Sequence, residues 1–232
     1  SQKFIEHASK AIGSDNWHER KERMQTRHEG RLLREFEANQ NDMFRTIIKR
    51  IRPAMTKSFN SSASVTKTVS EQDMTDAINA INEEIQFSLQ KQSITARGLT
   101  TAGYEESLNF VGDDFGIGLA LNADDLAAIN YFNNVWTLPA VARTLGVHRA
   151  AAEAVIRQAF AEGRNWKWTE ANMRNSISAQ GANYPRYYYE RIARTETRRI
   201  VENSHLSAYA KMGFSQFKRF VTIDETTDKD LC

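Results

Sequence analysis

The sequence predicts a mostly α-helical fold, an elongated assembly of several helices with one small β element near the C-terminus. Three observations predict it. Only 3 prolines and 11 glycines occur in 232 residues, so few positions force a helix to break. Apolar residues recur at helical spacing in segment after segment. One good strand candidate stands out, FKRFVTI at 217–223, dense in β-branched and aromatic residues.

Taken in order, Asn16 and Glu19 make a capping box, since each side chain can satisfy a free amide at a helix start. Leu33, Phe36, Phe44, Ile47 and Ile51 then recur on one helical face, and Pro53 is expected to stop the run. Some 35 residues of helix would span roughly 50 Å. Such a helix is too long to bury its stripe against a small domain, so the five residues are read as a partner-binding face. The Ser/Thr-rich stretch 58–70 reads as a linker. Ser70 with Asp73 caps a further helix carrying Met74, Ala77, Ile78, Ile81, Ile85 and Leu89 inward, and a separate helix is expected over 104–111. The glycine-rich GDDFGIG at 112–118 reads as a joint without the spacing of a phosphate loop. Asn122 caps the next helix with Leu126, Ile129 and Phe132 inward, Pro139 begins another, and Gly163 closes the helix over 151–160. Trp166 and Trp168 form an aromatic patch. Pro185 suits the first turn of the last helix and Gly213 the position just past its end.

Three regions follow from this pass: a long-helix arm at 1–57, an acidic helical region with its linker at 58–119, and a helical domain with a terminal strand at 120–232. Their net charges differ, at +5 for residues 1–57, −8 for 58–136 and +5 for 137–232. A basic end can face nucleic acid while an acidic middle faces something else, or the two are solvated faces of one protein. No apolar run approaches the ~20 residues that cross a bilayer, so no membrane partner is expected. The start lacks the pattern of a secretory signal, and the single cysteine, Cys232, allows no internal disulfide, which together suggest a reducing cytoplasm.

Catalytic motifs are not in evidence. The histidines at 7, 18, 28, 148 and 205 lack metal-ligand spacing, and Asp224, Asp228 and Asp230 do not form a calcium loop. No catalytic residue, cofactor or metal ligand is assigned, and the chain is read as a non-enzyme. The stretch Ala142–Ala150 around Gly146 has the outline of a helix-turn-helix, with Arg149 and Arg157 on its second helix. That second helix is poor in side chains that read base edges, and the plainer reading is a tight turn between two core helices. On the last helix Tyr189, Ala193, Glu196, Ile200, Asn203, Ser207 and Ala210 fall on one heptad stripe. Glu196 therefore sits among small and apolar residues and needs a partner, for which Arg199, three residues on, with Arg191 and Arg194 nearby, is available. A buried Glu–Arg network that fixes helix register is expected.

The run Arg191-Ile-Ala-Arg-Thr-Glu-Thr, followed by Asn203, Tyr209, Gly213, a strand and Asp224, resembles the Mu F-type (MuF-like) head morphogenesis family of tailed bacteriophages. The specific part covers about 45 residues, and looser similarity reaches back to about residue 120 through the EGRNW segment at 162–166. Thr226 stands where the family often has Arg. The signature positions here are Arg191, Arg194, Thr195, Glu196, Arg199, Asn203, Gly213 and Asp224. The resemblance implies a low-copy minor head protein in the virion, made in the host cytoplasm and placed inside the head near the portal. Its implied partners are the portal protein, the major capsid or scaffold proteins, and double-stranded DNA bound without sequence preference; self-association is left open. The DNA contacts expected are Arg149, Arg157, Arg164, Lys167, Arg174, Arg186, Lys211, Lys218 and Arg219. Two alternatives are a helix-turn-helix regulator acting through residues 140–160, and a fragment of a toxin enzyme of the kind fused to this family. The Arg-Thr-Glu run does not match the dispersed set used by ADP-ribosyltransferases.

Overall fold

A computed structural model describes residues 15–60, 71–179 and 184–214. They form α1 (Asp15–Asn60), α2 (Glu71–Asp114), α3 (Ala123–Phe132), a π-helical turn (Asn133–Thr137), α4 (Leu138–Glu162), α5 (Trp166–Ala179) and α6 (Tyr184–Lys211). Among the described residues the protein is helical with no strand. The strand expected at 217–223 lies outside them, as do Asp224, Lys218 and Arg219.

Two long helices set the frame. With 46 and 44 residues, α1 and α2 would each extend roughly 65–70 Å at ~1.5 Å per residue. They pack along each other, and α6 lies against both. The main core draws on Phe36, Ile47, Ile51 and Met55 of α1, Ile81 and Ala96 of α2, Leu145 and Ile156 of α4, and Tyr189 and Ala193 of α6.

This corrects the reading of the α1 stripe as an open partner face. Phe36, Ile47 and Ile51 are each at most 1% exposed, and Leu33 and Phe44 are half-buried against the same core. The chain's own α2 and α6 supply the cover. The segregated charge has a matching internal role, because basic α1 faces acidic α2. Arg50 pairs with Glu83 and Glu84, Arg27 and Arg31 share Glu106, and Arg20 pairs with Asp114, while one pair runs the other way, with Lys91 Nζ of α2 2.7 Å from Asp42 Oδ2 of α1.

Helix boundaries differ from expectation in three places, each for a packing reason. Pro53 does not end α1, which continues to Asn60. Pro53 and Lys49 are exposed, so water can serve the carbonyl that the proline leaves without a donor, while Ile51 and Met55 anchor the helix on its buried face. The two helices expected over 74–111 are one. Its middle is buried through Gln92, Ala96, Thr100 and Gly103, residues too small or polar to register as an apolar stripe. Finally, α4 runs unbroken through Gly146, which removes both the helix-turn-helix and the tight αα turn expected there. Val141, Leu145, Ala152, Ile156 and Ala159 bury one continuous face across that glycine, and such burial offsets its ~1 kcal/mol helix cost.

Several local signals correspond to observed features. Asn122 accepts from the Asp125 amide and Asp125 accepts from the Asn122 amide, both at 2.9 Å. Ile129 is buried, but Leu126, expected inward, is 46% exposed. Gly163 and Gly213 have φ of 62° and 86° and close α4 and α6 with paired back-bonds; Arg164 N to Ala159 O is 2.8 Å and Phe214 N to Tyr209 O is 3.0 Å.

Candidate functional site

On α6 the buried positions are Tyr189, Ile192, Ala193, Glu196, Thr197, Ile200, Val201, Ser204, His205 and Ala208. They follow the 3.6-residue period rather than the heptad, so the buried face drifts and Ala210 is exposed. Glu196 is 4% exposed and accepts from Arg199 Nη1 at 2.8 Å. Burial pushes the Glu196 carboxyl above its ordinary range, opposed by Thr137 and Arg199. The expected Glu–Arg contact is therefore present, although Arg199 itself is one-third exposed.

The π-helical turn completes this arrangement. By inserting a residue into the helical register it buries Asn133 and Thr137 while leaving Trp136 45% exposed. The Arg199 guanidinium then lies over the Trp136 ring, 4.4 Å from its centroid. Glu196, Arg199 and Trp136 thus form a chain from the core to the surface.

That chain edges a pocket of about 490 Å³ between α4 and α6. From α4 come Arg143, Thr144 and His148; from α6 come Tyr188, Arg191, Thr195, Glu196 and Arg199. Arg143 and Arg191 are exposed, and among the described residues neither pairs with a carboxylate. His148 is 4% exposed, and burial lowers it to about 4, so it is neutral at neutral pH. Its Nε2 lies 3.4 Å from Gln40 Nε2 of α1. Since Arg199 and Glu196 neutralise each other, the pocket carries the positive charge of Arg143 and Arg191.

Four signature residues therefore line one pocket: Arg191, Thr195, Glu196 and Arg199. Arg194 points elsewhere, its Nε 3.4 Å from Glu29 of α1. Asn203 Nδ2 donates to Arg199 O at 2.8 Å, and Gly213 ends the helix. Trp136, Arg143, His148 and Tyr188 join the site only through the packing of α4 and the π-helical turn on α6, which no local signal in the sequence announces.

The cations expected to meet DNA have different fates. Lys211 is corrected: it is 18% exposed, and its Nζ sits 2.5 Å from Asp125 Oδ2 and 2.6 Å from Ala120 O. Asp125, 2% exposed, also accepts from Tyr104 and Ser207, which makes the cluster a lock between α2, α3 and α6. Burial alone would raise the Asp125 carboxyl, but Lys211, Ser207, the Asn122 amide and Tyr104 together hold it below its ordinary range. Arg149, Arg164 and Arg174 are exposed but engage Glu153, Glu162 and Glu170. Arg164 also covers Trp168, and Arg174 covers Phe44. Arg157 and Lys167 are exposed and without a carboxylate partner among the described residues. The Arg186 side chain lies outside the described residues. No described group of three or more His, Cys, Asp or Glu is placed to hold a metal ion, and no described helix is long and apolar enough to cross a membrane.

Compared with protein-family models, curated proteins and solved structures, the chain finds no match.

Proposed function

We propose that this chain is a minor head protein of a tailed bacteriophage, similar to the MuF-like proteins. It is a low-copy virion component beside the portal or inner capsid, it contacts packaged DNA, and it aids head assembly or genome delivery. The proposal gives it no catalytic role. The observation that carries it is the coherence of the signature: Arg191, Thr195, Glu196 and Arg199 share one pocket, Asn203 is bonded to the Arg199 carbonyl, and Gly213 terminates the helix. Residues that carry the resemblance thus serve one built unit rather than scattered surface positions.

DNA contact, in this reading, falls to the exposed cations outside the pocket that no carboxylate occupies among the described residues, Arg157 and Lys167. So few contacts give weak binding that falls with salt at a slope of about −0.9 per phosphate. Partner attachment falls on surface other than the α1 stripe, which this chain covers itself.

The test is co-expression with any portal, capsid or scaffold protein encoded near this gene, followed by affinity purification and a duplex-DNA titration at several salt concentrations. The reading predicts a complex that survives purification and sequence-independent DNA binding weakened by salt. Failure to associate with portal, capsid or scaffold protein would overturn the head-protein assignment. DNA binding that is flat with salt would overturn the DNA contact.

A further inference from the structure

We propose that the pocket between α4 and α6 binds a nucleoside phosphate, with the phosphoryl group between Arg143 and Arg191 and the base beside Trp136. This inference stands apart from the head-protein reading, since it rests on the pocket alone.

Size and shape come first. At about 490 Å³ the pocket falls within the ~300–1,000 Å³ typical of small-molecule sites. It is concave, so the phosphates on the convex surface of a duplex cannot enter it; a free nucleotide or an unpaired nucleotide at a strand end can.

The lining divides into two chemistries. One is cationic: Arg143 and Arg191 project from different helices and carry no carboxylate among the described residues, so their charge is uncompensated. Guanidinium forks match phosphate oxygens in two-point geometry. The other is aromatic and apolar. Trp136 keeps 45% of its surface exposed with Arg199 against its ring, and Ala140, Val147 and Ile192 add apolar wall. Inorganic phosphate would leave that wall unused, whereas a base can stack on the indole.

The floor adds an acceptor. Glu196 reaches the pocket with its charge balanced by Arg199, so its carboxylate can accept from a base amino group. An anionic ligand lacking such donors gains nothing from this carboxylate. A nucleoside phosphate uses both halves of the pocket.

The experiment titrates the full chain with AMP, GMP and CMP, with inorganic phosphate and with adenosine, by calorimetry and tryptophan fluorescence. A nucleotide should bind at least ~tenfold more tightly than phosphate or adenosine, a difference of about 1.4 kcal/mol, and should quench fluorescence. Arg143→Gln and Arg191→Gln should each weaken it at least ~tenfold while leaving the melting temperature unchanged, because both side chains are exposed. Trp136→Leu should weaken nucleotide but not phosphate and abolish the quench, and Arg97→Gln, exposed on α2 outside the pocket, should change nothing. A 5′-phosphorylated single-stranded oligonucleotide that competes with the nucleotide supports the proposal and identifies a strand end as occupant. Failure of that competition, with nucleotide still bound, supports it and identifies the free pool. Phosphate binding as tightly as any nucleotide, indifference to both arginine variants, or no response at millimolar nucleotide would each overturn it.

Discussion

The His28 ring occupies the space that a side chain at Gly103 would need, for a Cβ built there would lie 2.3 Å from His28 Cε1. His28 is 2% exposed, so α1 and α2 meet here with the ring of one helix against the bare backbone of the other. Gly103→Ala should therefore destabilise, by roughly 1–3 kcal/mol for overpacking, although alanine is the better helix former by ~1 kcal/mol. Urea unfolding checks this. The double variant His28→Ala with Gly103→Ala should recover part of the loss relative to the sum of the single changes. A Gly103→Ala protein more stable than the parent would show that the helices separate freely.

Lys211 and Asp125 give a sharper contrast. Lys211→Met would leave the Asp125 carboxylate buried without its cation, a loss on the order of 3–5 kcal/mol. Arg157→Ala, at an exposed residue of the same predicted DNA set, should change stability by less than ~0.5 kcal/mol. Equal melting shifts for the two variants would contradict the assignment of Lys211 to an internal lock.

These two cases also mark how far the sequence could be read. Helical character, the Asn122 cap, the Gly163 and Gly213 ends and the burial of Glu196 beside Arg199 were all legible, because each depends on residues within a few positions. Non-local choices were not. Lys211 looks like any surface lysine until α3 brings Asp125 to it. Gly146 looks like a turn until α4 is packed through it, and the α1 stripe looks unpartnered until α2 and α6 cover it. The pocket was half legible: α6 announced its residues, whereas Trp136, Arg143 and His148 arrive through the π-helical turn and α4.

Acid should weaken the fold through three buried histidines. Burial lowers His28 and His148 to about 4 and, with Lys21 adding to the effect, His205 to about 3. An unfolded chain takes up these protons near 6.5, the ordinary histidine value. Stability is thus intact above about 6.5 and drains as pH falls toward 4 and 3, by at most about 3 kcal/mol each for His28 and His148 and about 5 kcal/mol for His205. Glu196 acts in the opposite sense: its raised carboxyl loses stability as pH rises from its ordinary 4.5, which partly offsets the trend there. Melting curves between pH 7 and 4 check the sign. His205→Phe, which keeps a ring among Trp17, Phe110 and Tyr209, should flatten the profile. A fold equally stable at pH 7 and pH 4 would refute the account of these histidines.

Glu196 itself should tolerate loss of charge better than loss of contact. Glu196→Gln retains the volume and a carbonyl acceptor for Arg199 and should cost under ~1 kcal/mol, while Glu196→Ala leaves a cavity and an unmet guanidinium and should cost roughly 2–3 kcal/mol. Because Arg199 is one-third exposed, water limits the second figure. Thermal unfolding of both variants ranks them, and a Gln variant as damaged as the Ala variant would mean that charge, not contact, holds the site.

The proposed place in the virion is tested most directly by quantitative mass spectrometry of DNA-filled phage heads purified from an infected or induced culture of cells that express this chain. The account predicts the protein in those heads at a few copies per particle, far below the major capsid protein and retained after external protease treatment. Its absence from purified heads, with the protein abundant in the infected or induced cell, would contradict it.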